Sequence, residues 1–218
     1  ADQVRDEKLR VLRAIRPVAA GDIVCGQYQE YANELGRPSN TETYVAMKLA
    51  IDNWRWAGVP FYIRTGKQLA RRASEIVITF KQRPHDIFQR NGGGAIESPP
   101  NRLIIRLQPR EGLRLQLISK EPGPGGMRLF PSELNLSFGE TFEARLPDAY
   151  ERLLMDTARG NQTLFMRRDE VFAAWDLIDP VIDFIKDRAP ELYRSGTMGP
   201  ADKLLADDGR GWIDPYED

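Results

Sequence analysis

The chain has 218 residues, of which 41% are hydrophobic and 29% are charged, a composition typical of a globular protein with one large domain or two small ones. The 31 Lys and Arg residues nearly balance the 32 Asp and Glu residues, and the net charge is -1. This balance argues against nucleic acid or a membrane surface as a partner, because binding to either usually requires a basic protein. An anion-binding site has to come from a local cluster of cations.

Cysteine and histidine each occur once, as Cys25 and His85. One cysteine cannot form an intrachain disulfide, and one cysteine with one histidine cannot complete a zinc site, so no metal site is predicted. The first eight residues lack the apolar segment of a signal peptide. No stretch approaches the roughly 20 apolar residues of a transmembrane helix. The simplest expectation is a cytoplasmic protein.

The first 40 residues predict a short helix and then a long loop. Leu9, Leu12 and Ile15 recur every three residues with charges between them, which is typical of an amphipathic helix over residues 6–15. Residues 21–40 are rich in Gly, Pro, Ser and Asn and predict irregular structure. Loops of this length within a domain are often functional or form interfaces.

Alternation of apolar and polar residues predicts six strands from residue 44 onward. The alternating apolar positions are Val45, Met47, Leu49 and Ile51; Val59, Phe61 and Ile63; Ile76, Ile78 and Phe80; Leu103, Ile105 and Leu107; Leu113, Leu115 and Leu117; Leu134, Leu136 and Phe138. Some connections, such as residues 109–112, are too short for the crossover that joins two parallel strands. We therefore expect the strands to pair mainly in antiparallel fashion.

Two helices are predicted after the strands, over residues 147–160 and 169–186, from apolar residues at three- and four-residue spacing. Pro180 lies inside the second helix and is expected to kink or split it. Trp212 is the predicted packing anchor of a Gly-rich tail. Strands followed by helices predict an α+β fold, with a large, mainly antiparallel β-sheet and helices packed on one face. The uncovered face of such a sheet favours self-association.

Three features that could carry catalysis have simpler interpretations. His85 lies in a predicted loop, where only Asp86 is at hand to orient it as a base. The glycine clusters at 92–94 and 123–126 are not followed by a helix start, so neither resembles a phosphate-binding loop. Cys25 has no recognisable partner base. No catalytic residue is therefore predicted in this chain.

A cluster of cations is the main candidate site. Arg64, Lys67, Arg71 and Arg72 lie within nine positions at the end of a predicted strand. Gly66 allows a tight exit from the strand, after which Lys67 and Arg72 can converge on one phosphate. Two other interpretations stay open, namely a solvated basic edge that discourages strand aggregation and cations paired with carboxylates of the C-terminal region.

Arg106 and Gln108 alternate with apolar residues, so they share one face of their predicted strand. Such a pair can bind a hydroxyl group or a charge. Ordinary surface residues of a sheet show the same pattern, and the sequence pattern alone leaves both interpretations open.

Two longer segments are similar to the glucose-6-phosphate dehydrogenase family: residues 58–69, GVPFYIRTGKQL, and residues 146–154, LPDAYERLL. Shorter matches are VRDEK at 4–8, GQY at 26–28, RLQP at 106–109 and GWIDP at 211–215. They occur in the same order as in the family and cover nearly the whole chain, so together they are much more specific than any one alone. By this resemblance the chain is identified as a member of the family.

The resemblance implies that residues 1–218 are a single C-terminal domain that binds substrate and forms homodimers or homotetramers through its β-sheet. In this family an N-terminal Rossmann domain binds NADP, and that domain and the histidine base precede the residues of this chain. The family oxidises glucose 6-phosphate to 6-phosphogluconolactone in the pentose phosphate pathway. The isolated chain is expected to be inactive. A noncatalytic assembly module and a phosphosugar-binding regulator are the alternatives.

The resemblance also assigns individual residues. Lys67 matches a family lysine that contacts substrate and cofactor, Arg72 matches a second cation that contacts the substrate, and Gln108 matches a glutamine near the sugar in some members. Some animal members bind a second, structural NADP on this domain, and Arg64 and Arg106 fit that pattern. The other expected cations are replaced by Ala73, Val77, Gln116 and Met198. We therefore predict no tightly bound structural NADP.

Overall fold

The computed structural model describes residues 2–82, 99–123, 129–139, 149–200, 203–206 and 211–215. These residues fall into two compact units, each with its own sheet. Unit 1 comprises Ala1–Arg71 and Pro147–Asp214, and unit 2 comprises Arg72–Leu146 and Pro215–Asp218. The predicted site residues are divided between the units, since Lys67 belongs to unit 1 and Arg72 and Gln108 belong to unit 2.

The helices and strands are, in chain order, α1 (Asp2–Arg13), a 3-10 helix (Ala20–Asp22), β1 (Ile23–Tyr28), α2 (Tyr31–Leu35), β2 (Tyr44–Leu49), β3 (Phe61–Gly66), β4 (Ser74–Thr79), β5 (Arg102–Gln108), β6 (Gly112–Lys120), β7 (Leu129–Ser137), α3 (Ala149–Ala158), α4 (Arg168–Ile185), β8 (Glu191–Tyr193) and α5 (Lys203–Ala206). The longest of these helices, α4, has 18 residues. Within the described ranges, each helix is too short or too polar to cross a bilayer.

Unit 1 is built on a four-stranded sheet in the order β3-β2-β1-β8. The β1–β2 and β2–β3 pairs are antiparallel, and the β1–β8 pair is parallel. Met47 and Leu49 of β2 pack against Val181 of α4. Another core cluster consists of Val24, Tyr28, Tyr44, Ala46, Tyr193 and Leu204. Because successive residues of a strand point to opposite faces, β2 is covered on both sides.

Unit 2 contains a four-stranded antiparallel sheet in the order β4-β5-β6-β7. Ile105 lies opposite Leu113, and Leu113 lies opposite Leu136, so one face of the sheet is apolar. Several side chains of this apolar face are exposed, namely Ile76 (48%), Phe130 (63%), Leu134 (63%) and Leu136 (43%). An antiparallel sheet normally presents a polar face to water, so exposed apolar side chains on one face are unusual.

The opposite face of the unit 2 sheet buries arginines. Arg114 is 1% exposed, and its Nε lies 3.0 Å from Oε1 of Glu133. Arg106 is also buried, and its guanidinium donates to Oδ1 of Asn135 at 3.0 Å. A buried guanidinium needs such partners, because an uncompensated buried charge is strongly destabilising. Residues of β7 thus provide both buried guanidinium groups with polar partners.

The predicted α+β class and the predominance of antiparallel pairs are confirmed. The strands form two sheets of four, where the sequence predicts one large sheet. The reason is that β1 and β8, which the alternation pattern does not reveal, complete a separate sheet with β2 and β3.

The prediction of a loop over residues 21–40 is wrong, because this segment contains β1 and α2. The sequence of β1, IVCGQY, does not alternate, since the strand has a neighbour on each side and is largely buried. Gln27 is buried, and its amide donates to the carbonyls of Ser39 at 2.9 Å and Thr41 at 2.7 Å. The sequence does not reveal these hydrogen bonds, so a buried glutamine such as Gln27 is easily taken for a loop residue.

Helix α4 continues through Pro180, so the predicted break does not occur, and the predicted kink stays a prediction. An interior proline costs a helix about 3 kcal/mol. Val181 is buried and Ile178 packs against the cluster of Met47, and burying such a side chain contributes about 1.5–3 kcal/mol. Packing of α4 against the sheet therefore offsets the proline.

Arg5 fastens α1 to the segment that precedes α4. Its side chain is buried, and its guanidinium donates to Oε1 of Gln162 at 3.3 Å and to the carbonyls of Gln162 and Phe165. Oδ1 of Asp2 lies 3.5 Å from its Nη1 and counters the charge. The segment 4–8, one of the family-like segments, thus includes a structural arginine.

Replacing Arg5 with alanine removes a buried side chain and the donor to the carbonyls of Gln162 and Phe165, so we expect the free energy of unfolding to fall by about 2–3 kcal/mol. Urea denaturation followed by circular dichroism measures the change. Arg10→Ala is the matched control on the same helix, because the Arg10 side chain is 74% exposed and surface changes usually stay within about 0.5 kcal/mol. Equal losses for the two variants would contradict the structural role of Arg5.

The ring of Tyr44 fills the space beneath the end of β3. It is 2% exposed, and a β-carbon added to Gly66 would lie 2.7 Å from its Cδ2. A β-carbon added to Gly199, which has φ +79°, would lie 2.4 Å from its Cε2. Glycine is therefore required on both sides of the ring. Tyr44 sets how closely the residues after β3 and after β8 approach the sheet.

We expect Gly66→Ala to destabilise the chain by about 1–3 kcal/mol, the usual cost of overpacking a core. Gly21→Ala is the control, because a β-carbon there meets nothing within 4 Å, and replacing an unstrained glycine with alanine is neutral or slightly stabilising. Thermal unfolding of the two variants compares these effects. A Gly66→Ala chain as stable as the wild type would mean that the Tyr44 ring can move aside.

Candidate functional site

Lys67 lies in the turn that follows β3, residues 66–69, here named the Lys67 turn. The backbone amide of Lys67 donates to the carbonyl of Thr43 at 2.8 Å. Gln68 has φ +50°, a left-handed conformation that is uncommon for a residue with a side chain. The side chain of Lys67 is exposed, and its ammonium group makes no hydrogen bond or ion pair with any residue that the structure describes. Lys67 is thus an unpaired cation on an ordered backbone.

The segment that follows β8 holds the other side of the Lys67 turn. The amide of Gly196 donates to the carbonyl of Gln68, and the amide of Ala70 donates to the carbonyl of Thr197, both at 2.9 Å. Leu69 and Thr197 form an isolated parallel β-bridge. The turn is therefore hydrogen-bonded on both sides.

A buried tyrosine holds the carbonyl of Lys67 itself. The hydroxyl of Tyr193 donates to this carbonyl at 2.7 Å, and its oxygen lies 3.2 Å from Oγ1 of Thr43. Because a phenol has one proton, Thr43 is the donor of that second bond. Thr43 Oγ1 in turn accepts from the amide of Tyr28 at 3.0 Å. These bonds run continuously from the Tyr28 amide to the Lys67 carbonyl.

Burial raises the pKa of Tyr193 above its ordinary value, against the opposing effect of its hydrogen bonds with Thr43 and the Lys67 carbonyl. The hydroxyl of Tyr193 therefore stays protonated at neutral pH.

Arg64 is already paired. Its guanidinium donates to Oδ1 of Asp214 at 2.9 Å and to the carbonyl of Ile213 at 3.2 Å, and it lies 4.8 Å from the centre of the Trp212 ring. The interpretation in which cations pair with C-terminal carboxylates is therefore correct for Arg64. Trp212 packs against a core cluster of unit 1, which confirms it as a packing anchor.

Arg72 and Gln108 lie at the same end of the β4–β5 pair in unit 2. Ser74, the first residue of β4, pairs with Gln108, and Arg72 precedes Ser74 by two residues. Arg72 and Gln108 are exposed, and the Arg72 guanidinium has no hydrogen-bond or ion-pair partner within the described ranges. Arg106 lies two residues before Gln108 on β5 but is buried beside Asn135, so its role is structural.

Of the three features given simpler interpretations in the sequence analysis, Cys25 lies within the described residues. Burial raises the pKa of the Cys25 thiol, and the carboxylate of Glu42 adds to the effect. Activated cysteines show the opposite shift, so Cys25 is not an activated nucleophile. His85 and the glycines at 92–94, 125 and 126 lie outside the described residues.

The sequence analysis missed the three residues that hold Lys67 in place: Thr43, Tyr44 and Tyr193. Tyr193 belongs to a strand of three residues, which is too short to show alternation. It is also 126 positions from Lys67, and contacts at that separation leave no local pattern. The usable local signal was the pair Gly66 and Lys67 at the end of a strand.

A cavity of about 500 Å³ lies in unit 1 and is lined by residues of α1, α4 and the segment between α1 and β1. Its lining is mainly apolar and includes Leu12, Ile15, Phe172 and Phe184. None of the residues predicted to bind substrate lines it. The charged residues in its lining are Arg13, Asp169 and Asp176, and a set with two carboxylates to one cation does not favour a phosphate.

The sequence profile of the family described as "Glucose-6-phosphate dehydrogenase, C-terminal domain" matches residues 1–213. The glucose-6-phosphate 1-dehydrogenase of Rhizobium meliloti (strain 1021) is 52% identical over 233 residues, which cover 98% of this chain and 47% of that protein. The enzyme of the same name from Mycolicibacterium smegmatis is 50% identical over 97% of this chain and 46% of that protein. The chain spans about half the length of the curated relatives it matches.

Two solved structures share the fold. One is described as glucose-6-phosphate dehydrogenase in complex with its substrate glucose-6-phosphate; its TM-score is 0.86 at 31% identity, over 98% of this chain and 46% of that chain. The other, glucose-6-phosphate 1-dehydrogenase from Mycobacterium avium, has a TM-score of 0.81 at 33% identity, over 100% of this chain and 46% of that chain. Since the family profile matches nearly the whole chain, this protein belongs to the glucose-6-phosphate dehydrogenase family and matches its C-terminal domain.

Proposed function

We propose that residues 1–218 form the C-terminal, substrate-binding and dimerisation domain of a cytoplasmic enzyme. The longer protein oxidises glucose 6-phosphate to 6-phosphogluconolactone, with NADP as the hydride acceptor. The observation that carries this proposal is Lys67, in a chain of this family. It is an exposed cation without a partner among the described residues, on a backbone held from both sides.

In this proposal Lys67 and Arg72 bind the phosphorylated sugar as cations, and the amide of Gln108 binds a sugar hydroxyl. A phosphate dianion is best bound by groups whose charge is not already neutralised, and both cations meet that condition within the described residues. A basic edge that only faces solvent would not require an ordered backbone at Lys67. A ligand site therefore explains the hydrogen-bonded Lys67 turn better.

These residues position the substrate and break no bond. Holding the sugar in a reactive geometry lowers the barrier by several kcal/mol when the geometry is tight. NADP, when bound, would supply the hydride acceptor, and the base for the hydroxyl proton is proposed to lie in the part of the longer protein that these residues do not include. The isolated chain is therefore inactive in this proposal.

The described residues do not make a complete NADP site. Arg64, one of two arginines that fit the structural NADP pattern, is bound to Asp214, and Arg106 is buried against Asn135. Val77 and Gln116 stand where further cations are expected. The absence of a tightly bound structural NADP remains a prediction.

We also propose that two copies pair through the apolar face of the unit 2 sheet. Phe130 and Leu134, each 63% exposed, and Ile76, 48% exposed, lie on this face. A second copy of the same face is complementary to it, because two-fold dimers use one patch on both subunits. Homotetramers would require a further surface.

The substrate role is tested in a chimera in which residues 1–218 replace the matching half of the Rhizobium meliloti relative. We expect Lys67→Met to raise the KM for glucose 6-phosphate by about 100-fold and Arg72→Met by about tenfold, because a charged hydrogen bond contributes about 1.5–3 kcal/mol. NADPH absorbance measures both, and Lys120→Met, at the end of β6, is the control.

Sedimentation of the same variants distinguishes an enzyme from a noncatalytic assembly module. If the chain is part of the enzyme, Lys67→Met and Arg72→Met raise KM while the oligomer stays intact. An unmodified chimera without NADPH formation, or an unchanged KM in both Lys67→Met and Arg72→Met, would refute the proposed substrate role. A phosphosugar-binding regulator would bind glucose 6-phosphate without turnover.

The pairing proposal is tested by sedimentation of the 218-residue chain. We expect Leu134→Asp to shift dimers to monomers at about 10 μM, because the carboxylate would have to be buried without a partner. Leu35→Asp is the control, since Leu35 is 40% exposed on α2 of unit 1. Persistent dimers in Leu134→Asp, or equal effects of the two substitutions, would contradict pairing through this face.

A further inference from the structure

The position of the Lys67 side chain depends on two peptide groups that flank Gln68. The first contains the carbonyl of Lys67 and accepts from the Tyr193 hydroxyl at 2.7 Å. The second contains the carbonyl of Gln68 and accepts from the amide of Gly196 at 2.9 Å. Both donors belong to the segment that begins with Tyr193. This segment therefore fixes the orientation of the backbone from which Lys67 projects.

The left-handed conformation of Gln68 makes this support necessary. A residue with a side chain at φ +50° tends to relax to a more common conformation unless its surroundings hold it. Relaxation would rotate the peptide group that carries the Lys67 carbonyl, and the hydrogen bond from Tyr193 opposes that rotation. The long Lys67 side chain is free of partners in the described structure, so only its backbone is held in advance of ligand binding.

Tyr193 is itself well fixed. It is buried, pairs with Tyr28 in the β1–β8 ladder, and packs its ring 5.6 Å from that of Tyr44, centre to centre. The Tyr193 hydroxyl lies 2.7 Å from the Lys67 carbonyl and 3.4 Å from the Thr43 carbonyl, so its proton favours the Lys67 carbonyl, and the phenol oxygen can then accept from the Thr43 hydroxyl at 3.2 Å. The hydroxyl is thus a rigid donor rather than a freely rotating one.

We propose that Tyr193 is a positioning residue for substrate binding, whose hydroxyl presets the backbone of Lys67 and so raises the affinity for the phosphorylated sugar. This inference rests on the proposed function of Lys67. Preorganisation raises affinity by reducing the ordering that binding requires. Tyr193 does not contact the ligand in this proposal.

The test uses Tyr193→Phe in the chimera, since this substitution removes one oxygen and keeps the ring. We expect the KM for glucose 6-phosphate to rise roughly fivefold, the effect of one neutral hydrogen bond, with kcat within about twofold. Tyr62→Phe is the matched control, because the Tyr62 hydroxyl is buried and has no hydrogen-bond partner among the described residues. It is expected to leave KM unchanged.

A double-mutant cycle distinguishes positioning from a general loss of stability. In the Lys67→Met background, Tyr193→Phe should no longer raise KM, because the side chain that it positions is gone. Thr43→Val, which removes the donor to the Tyr193 oxygen, is the second variant and should raise KM in the same Lys67-dependent way. It keeps the test decisive where Tyr193→Phe fails to fold.

The two proposals fail in different ways. An unchanged KM in Lys67→Met overturns the proposed role of Lys67. A raised KM in Lys67→Met, combined with no effect of Tyr193→Phe or with an equal effect in both backgrounds, overturns the positioning role alone. Coupling between Tyr193 and Lys67 supports both.

Discussion

The packing of the Tyr44 ring between Gly66 and Gly199 is the constraint on which the rest of the site depends. The ring occupies the volume in which a β-carbon on either glycine would lie, so the ends of β3 and of the segment after β8 can come together above it. That approach allows Gly196 and Thr197 to pair with the Lys67 turn. The exposed cation is therefore ordered by a contact in the core and not by its own side chain.

The cations of this region differ in what fixes them. The side chain of Arg64 is fixed by Asp214 and Trp212, and this leaves no charge for a ligand. Lys67 is fixed through its backbone amide and carbonyl instead, and its ammonium group has no partner in the part of the chain that the structure describes. A binding site for an anion requires the second arrangement, because a cation that is already paired must lose one partner to gain another.

Sequence patterns predicted the parts of the fold that obey local rules. The strands β3 to β7 follow alternation, and the cations were found by position alone. The strand β1 was missed because Gln27 and Gly26 look like loop residues unless their buried partners, the carbonyls of Ser39 and Thr41 among them, are known. The role of Tyr193 lies in a contact across 126 positions, which no periodicity encodes. Position and charge alone did not distinguish Lys67 from Arg64. The resemblance to the family did, because it assigned the substrate contact to Lys67.

The unit 2 sheet buries charged side chains on one face and exposes apolar side chains on the other, whereas a sheet usually does the opposite. This arrangement links the stability of the sheet to association. Arg106 and Arg114 are buried on its charged face, where Arg114 pairs with Glu133, while Phe130 and Leu134 remain exposed on the apolar face. Buried ion pairs contribute little net stability, because desolvation offsets most of their attraction. The apolar face contributes fully only when it is covered. Covering that face with a second copy, as proposed, therefore stabilises the folded sheet by mass action, and assembly becomes part of what holds unit 2 in its native structure.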